Sequence, residues 1–106
     1  MAIGFRLRKQ GFEVVICKKD MDLSRALIQE APEVVIIDLD TGKESGLEFV
    51  STVRSDRPES GILLLADPDD DSSILEGFSM GIDDFISKPF KPAELLLRVQ
   101  RMVKSS

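Results

Sequence analysis

Short runs of apolar residues alternate along the chain with segments in which apolar residues recur at helical spacing. The apolar runs are EVVIC at 13–17, VVII at 34–37, GILLLA at 61–66 and the pair FI at 85–86. A continuous run of branched apolar residues is typical of a strand that is buried on both faces. Alternation of such strands with helices predicts an α/β domain with a parallel sheet covered by helices on both faces.

Five segments carry a helical pattern, and capping or helix-breaking residues set their limits. The first covers 2–9 and ends at Gly11, and the second follows a cap at Asp20 or Asp22 and ends at Pro32. The others cover 46–53, the stretch from the acids 67–71 to about Gly81, and a final helix opened by Pro92. The apolar positions predicted to face inward are Leu23, Ala26 and Leu27; Leu47, Val50 and Val53; Ile74, Leu75 and Phe78; and Leu95, Leu96, Val99, Met102 and Val103.

Composition narrows the class of protein without identifying it. A length of 106 residues predicts one domain over 1–106. The net charge of -5 argues weakly against direct binding of nucleic acid, and no segment is long and apolar enough to predict a membrane span. Cys17 is the only cysteine, which favours a reducing, cytoplasmic compartment. The chain has no histidine, so any histidine-based chemistry must come from a partner.

Asp38 is the first candidate for chemistry, because it ends the apolar run 34–37. In open parallel sheets the ligand crevice lies outside the carboxyl ends of the strands. Asp40 follows two residues later, and Gly42 and Gly46 would allow the backbone to bend nearby. A carboxylate in this place can act as a nucleophile toward a phosphoryl group, provided that a cation or lysine neutralises the developing charge. Asp38 could equally begin an ordinary turn, and the spacing leaves both interpretations open.

Two further polar segments follow the later strands. Lys88, in the segment SKPF, comes after the last strand and could reach a carboxylate on a neighbouring strand, or could be a solvated lysine ahead of a helix. The segment DPDDD at 67–71 could hold a cation. Acidic residues ahead of a helix more often cap it and favour its dipole, and we predict that role here.

Taken together, these segments resemble the receiver domain of bacterial two-component response regulators. The resemblance covers nearly the whole chain, and its most specific part is GIDDFISKPFKPAELLLRV at 81–99. It implies a flavodoxin-like (CheY-like) doubly wound parallel sheet with the strand order 2-1-3-4-5. It also implies that Asp38 is the phosphoryl acceptor, that Lys88 contacts the phosphoryl group, that Phe85 is the aromatic switch residue and that the peptide bond before Pro89 is cis.

The chain departs from the receiver pattern in two places. The first strand of the family and its magnesium-binding acidic pair have no counterpart, since the sequence begins partway through the helix that should follow them. Magnesium would then find only Asp38 and Asp40, a thin set of ligands that predicts weakened binding. The second departure is Ala66, at the switch position where the family usually has a threonine or serine. Loss of that hydroxyl predicts a weaker link between phosphoryl group and switch.

The missing strand is the central one in the family's order. Without it, the strands at Val14 and Val35 would flank a slot of roughly 10 Å with unpaired backbone groups. Three outcomes are open: the two strands pair directly, a second copy of the chain covers the exposed edges, or the chain is a fragment of a longer protein. Because bare apolar strand edges invite pairing, we predict self-association.

The resemblance predicts a signalling module and not an enzyme. A histidine kinase or phosphotransfer protein would phosphorylate Asp38, and the face formed by the last two helices and the last strand would then bind a downstream protein or effector domain. The main alternative is a degenerate receiver that binds partners through this face without phosphorylation. A remote alternative is a haloacid-dehalogenase-type phosphatase, because IIDLDTG resembles the nucleophile motif of that family. A flavin binder is less favoured still, since the chain lacks tryptophan and tyrosine.

Overall fold

Strands and helices alternate through the whole computed structural model, which describes residues 7–18, 21–41 and 43–104. Residues 7–9 are helical, whereas the earlier part of the first predicted helix lies outside the described residues. None of the described helices is long and apolar enough to cross a membrane. The elements are β1 (Val14–Cys17), α1 (Leu23–Glu30), β2 (Val34–Asp38), a 3-10 turn (Leu39–Thr41), α2 (Lys43–Asp56), β3 (Gly61–Ala66), α3 (Asp71–Met80), β4 (Asp84–Ser87) and α4 (Pro92–Lys104).

The four described strands form one parallel sheet in the order β1-β2-β3-β4. β1 pairs directly with β2, with Val14 opposite Val34 and Cys17 opposite Ile37. Of the three predicted outcomes for the missing central strand, the structure therefore shows the first, and the expected slot between these strands is closed. Direct pairing gives partners to backbone groups that the slot would have left without them. It does not test self-association, which stays a prediction.

Apolar side chains cover both faces of the sheet, as the continuous apolar runs predicted. On one face, Val15, Val35 and Leu64 pack beneath α1, α2 and α3. On the other, Val34 and Leu63 pack against α4 and against Leu7 of the first helical residues. This two-sided arrangement is the α/β parallel sheet that the sequence predicted, and it leaves the carboxyl ends of the strands together at one edge.

Cys17 is buried in the core at the end of β1. Burial raises the pKa of its thiol from 9.0 to about 12, so the thiol stays protonated at neutral pH. Cys17 therefore behaves as a small core residue and not as a reactive thiol.

Local packing explains where α1 and α2 depart from their predicted limits. Asp22 caps α1 by accepting a hydrogen bond from the Arg25 N–H at 3.2 Å, which confirms one of the two predicted caps. α2 covers Lys43–Asp56 and is longer at both ends than the predicted 46–53. Gly46 lies inside this helix and does not bend the backbone after Asp38, and the prediction for Gly42 lies outside the described residues. A Cβ on Gly46 would lie 2.7 Å from Leu39 Cδ2, so glycine allows the helix to pack closely on the turn.

The inward face of α3 differs from the prediction at two of three positions. Ile74 is buried as expected, but Leu75 is 70% exposed and Phe78 is 44% exposed. The residue that faces the core beside Ile74 is Gly77, where a Cβ would come within 3.2 Å of Ile82 Cδ1. Because a glycine lets this side of the helix approach the core, the two larger side chains turn outward.

Candidate functional site

Asp38 is the last residue of β2 and lies opposite Leu65 of β3. Its Oδ1 accepts a hydrogen bond from the backbone N–H of Asp40 at 2.9 Å, within the 3-10 turn that follows the strand. The side chain is only 17% exposed. Both sequence interpretations of Asp38 therefore apply at once, since it begins a turn and also presents a carboxylate at the carboxyl edge of the sheet.

Lys88 directly follows β4 and is fixed through its backbone as well as its side chain. Its N–H donates to the carbonyl oxygen of Ala66 at 2.8 Å, and its peptide bond to Pro89 is cis, as the resemblance implied. Its Nζ donates to both oxygens of Asp38, at 2.8 Å and 2.9 Å. Lys88 therefore reaches a strand-end carboxylate, as one of the two interpretations predicted, and is not simply a solvated lysine. The carboxylate is not on the neighbouring strand, because β3 lies between β2 and β4.

Asp40 also contacts Lys88, so that the side chains of Asp38, Asp40 and Lys88 meet. The sequence did not predict the contact between Asp40 and Lys88. The Oδ2 of Asp40 accepts a further hydrogen bond from Lys88 Nζ. Burial lowers the pKa of Lys88, but the hydrogen bonds and negative charges of Asp38 and Asp40 outweigh burial and raise that pKa above its ordinary value. Lys88 is therefore an ammonium ion at neutral pH, able to neutralise negative charge at this edge.

The two predicted switch residues lie on β3 and β4, behind the carboxylates. Ala66 ends β3, is buried, and offers no hydroxyl to the site. Phe85 is half-buried in β4, and its ring meets the ring of Phe78 edge-on with centroids 6.0 Å apart and an interplanar angle of 88°. Sequence reasoning missed this contact because it placed Phe78 in the core. A physical link thus runs from β4 to the outer surface of α3.

Asp67, immediately after β3, adds negative charge near the site. Asp40 is the main cause of the raised pKa of Asp67, followed by burial and Asp70, while Lys88 acts in the opposite direction. The sequence pattern placed Asp67 among the acids before α3. Its place after a parallel strand, like that of Asp38, would have indicated that the two share one edge of the sheet.

The remaining acids of segment 67–71 have mixed roles. Asp70 occupies the N-cap position of α3 but makes no side-chain cap hydrogen bond within the described part of the chain. Its Oδ2 instead accepts from the Asp67 N–H at 2.9 Å. Asp71 lies in the first turn, where its charge favours the helix dipole as predicted. Carboxylate oxygens of Asp67, Asp69 and Asp70 lie within 4.8 Å of one another, an arrangement common in proteins without a bound ion.

Among the residues that the structure describes, Asp38 and Asp40 are the predicted ligands for magnesium. A hydrated magnesium ion is usually held in proteins by one or two carboxylates, with waters and substrate phosphate completing its shell. Both carboxylates already contact the Lys88 ammonium, which competes for the same oxygens. The residues therefore fit a weakly held, water-rich ion, and Asp38 and Asp40 would hold it.

Comparison of the sequence with models of known protein families identifies the class of domain. The sequence model of the response regulator receiver domain matches residues 1–100, and the chain belongs to this family. Its α/β fold with a parallel sheet agrees with that assignment.

Solved receiver domains have the same fold. The receiver domain of NtrX from Brucella abortus is 22% identical, with a TM-score of 0.82 over 98% of this chain and 88% of that one. A response regulator from Thermotoga maritima is 28% identical, with a TM-score of 0.79 over 97% and 86% of the two chains. The BeF3-activated receiver domain of DrrB, a Thermotoga maritima OmpR/PhoB homologue, is 31% identical, with a TM-score of 0.69 over 88% and 97%.

Proposed function

We propose that this receiver domain accepts a phosphoryl group on Asp38. The observation that carries the proposal is the contact of the Lys88 ammonium with both Asp38 oxygens, at 2.8 Å and 2.9 Å. An oxygen of Asp38 would attack the phosphorus, and the bond from phosphorus to the donor would break with its electron pair leaving on the donor. Lys88 would neutralise charge on the transferred group. These 106 residues contain no histidine, so a phosphohistidine donor would lie outside this domain, and we propose a histidine kinase or phosphotransfer protein.

The proposed response is a change in the face formed by α3, β4 and α4. Phosphorylation adds charge beside Lys88, whose backbone is bonded to Ala66 at the end of β3. Phe85 lies on β4, the strand that directly precedes Lys88, and its ring contacts Phe78 on α3. Leu75 and Phe78 on α3 and Leu97 on α4 are large apolar side chains exposed to solvent. We propose that this face binds a downstream protein or effector domain.

The main alternative is a receiver that binds partners without phosphorylation. Two features favour it. Ala66 has no hydroxyl to bond the phosphoryl group. Asp38 and Asp40 are a small set of ligands for the magnesium ion that would neutralise the charge of that group. Turnover of a phosphate ester that is lost in Asp40→Asn would instead favour the remote phosphatase alternative.

Treatment with acetyl phosphate and magnesium separates the two main functions. We expect the intact protein to gain the mass of one phosphoryl group, and we expect Asp38→Asn to gain none. Asp69→Asn is the matched control, because Asp69 is an exposed aspartate at the same edge, and it should be phosphorylated like the unaltered protein. Absence of any mass gain in the unaltered protein would contradict the proposal and leave the phosphorylation-independent binding module.

We also propose that two copies of the chain associate. β1 lies at the edge of the described sheet, and such an edge offers backbone groups for pairing with another strand. Light scattering across a range of protein concentrations should give the mass of a dimer at high concentration. A mass that remains that of one chain throughout would contradict association.

A further inference from the structure

We propose that two copies of the chain associate by antiparallel pairing of their β1 strands, with a two-fold axis passing between Val15 of one copy and the partner's Val15. This inference rests on the proposed self-association and names the surface that carries it. The parallel sheets of the two copies would then join edge to edge into one continuous sheet.

The backbone of β1 alternates between β2 and the open edge of the described sheet. The carbonyl oxygen of Glu13 accepts a hydrogen bond from the Val34 N–H at 3.3 Å and therefore points toward β2. Successive residues of a strand direct their backbone groups to opposite sides, so Val15 shares the direction of Glu13. Val14 and Ile16 direct their N–H and C=O groups to the open edge, and no described strand lies beyond β1 to receive them.

Symmetry favours antiparallel over parallel pairing of two such edges. In a parallel ladder, each outward-pointing residue lies between two outward-pointing residues of the facing strand, so two identical edges fit only when they are shifted by one residue. That shift leaves the two copies in different environments. Antiparallel pairing gives both copies the same contacts, as in the two-fold dimers that predominate among oligomers.

Hydrogen bonds within the chain select the register of the pairing. A pairing centred on Val14 would need the Phe12 N–H, which already donates to a carbonyl oxygen of the preceding helical residues at 3.1 Å. A pairing centred on Ile16 would need the Lys18 N–H, which already contacts a methionine sulfur at 3.4 Å. A pairing centred on Val15 uses only the outward groups of Val14 and Ile16. It places Val14 opposite the partner's Ile16, where each residue both donates and accepts a backbone hydrogen bond.

The side chains of β1 fit this register on both faces of the sheet. Val15 is 3% exposed and belongs to the core cluster that contains Leu23 and Leu27 of α1. Across the axis it would face the partner's Val15 as a non-hydrogen-bonded pair, the position at which opposite side chains come closest. On the other face, the half-buried Ile16 would contact the partner's Val14. Pairing would therefore join apolar side chains of the two cores.

Charges at the two ends of β1 also point to a second copy as the partner. The exposed Glu13 lies at the amino end beside Glu33, whose Oε1 accepts a hydrogen bond from the Glu13 N–H at 3.3 Å. The exposed Lys18 follows the carboxyl end. Antiparallel pairing brings the acidic end of each strand to the basic end of its partner, whereas parallel pairing would place like charges together.

Amide hydrogen exchange, measured residue by residue by NMR at low and high protein concentration, tests the pairing. Light scattering on the same samples gives the mass. Exchange of the Val14 and Ile16 N–H groups should slow by about tenfold at a concentration about ten times the dissociation constant of the dimer. The N–H groups of Val15 and Cys17 face β2 already and should change far less, so they are matched controls in the same strand.

Ile16→Pro provides an independent test by mutation. Proline removes the N–H that faces the partner and leaves the bonds between β1 and β2 in place, and it is tolerated in edge strands. Association should be weaker by more than about tenfold than in Ile16→Ala, because the alanine variant keeps the N–H and the proline variant loses one hydrogen bond from each copy. Analytical ultracentrifugation measures both dissociation constants, and circular dichroism checks that both variants fold.

The outcomes separate this pairing from self-association in general. A dimer in which exchange at Val14 and Ile16 does not depend on concentration would overturn the inference and leave the proposed self-association standing. A folded Ile16→Pro variant that associates as tightly as Ile16→Ala would do the same. If Ile16→Pro does not fold, the exchange measurement on the unaltered protein decides. A mass of one chain at every concentration would overturn both proposals.

Discussion

Replacing Lys88 with methionine should lower the rate of phosphoryl transfer to Asp38 by about 100-fold, a loss typical of removing one preorganised charge-stabilising donor from a reacting centre. Methionine keeps the length of the side chain but lacks the ammonium that contacts both Asp38 oxygens. In the described part of the chain, Lys88 is the cation that contacts Asp38 and Asp40. Without its ammonium, the negative charge on Asp40 and on the transferred group would not be neutralised by this side chain. Phosphorylation by acetyl phosphate, followed over time by intact mass, measures the loss.

Lys91→Met is the matched control for this substitution. Lys91 is exposed and lies only three residues after Lys88, ahead of α4. The control should be phosphorylated at the rate of the unaltered protein. If Lys88→Met reacted as fast as Lys91→Met while remaining folded, Lys88 would have no part in the transfer.

Replacing Leu64 with alanine should lower the free energy of unfolding by about 3 kcal/mol, which is a large share of the stability of a small domain. Leu64 lies in the middle of β3, with β2 and β4 on either side, and is fully buried. Its Cδ2 lies 3.5 Å from where a Cβ on Gly77 would be, so α3 packs directly on it. Truncation would leave a cavity that the neighbouring strands, held by their backbone pairing, cannot fill.

Leu75→Ala removes the same atoms from an exposed position and serves as the control. It should change the free energy of unfolding by less than about 0.5 kcal/mol, because the side chain is largely in solvent. Urea denaturation followed by circular dichroism measures both variants. Equal effects at the two positions would contradict the placement of Leu64 beneath α3 and of Leu75 in solvent.

The strands were the most predictable part of the fold. GILLLA at 61–66 became β3 without change of limits, because a strand buried on both faces needs apolar residues throughout and its ends are marked by polar residues. Helix faces were less predictable. Leu75 and Phe78 match a helical stripe in the sequence, but the close approach of Gly77 to Ile82 decides which side of α3 faces the core. This contact forms between α3 and the segment that follows it only once the chain has folded, so no periodic pattern in the sequence predicts it.

In the candidate site, too, some contacts were predictable from the sequence and others were not. Asp38 ends β2 and Lys88 follows β4, so a general property of parallel sheets placed both at the same edge, and a contact of Lys88 with a carboxylate was one of two interpretations left open. The Asp40–Lys88 contact was not predicted, because it depends on how the 3-10 turn after β2 directs a side chain. Pairing of β1 with β2 was one of three outcomes left open, since the sequence pattern of each strand is the same whichever neighbour it has.

The most direct test of phosphoryl acceptance at Asp38 is reduction of the donor-treated protein with borohydride, followed by peptide mass analysis. Borohydride converts an aspartyl phosphate to homoserine and leaves a free aspartate unchanged. We predict homoserine at position 38 after treatment with acetyl phosphate and magnesium, and aspartate at that position without the donor. Aspartate at position 38 in both samples, or a phosphate ester on a serine or threonine in place of homoserine, would contradict the account.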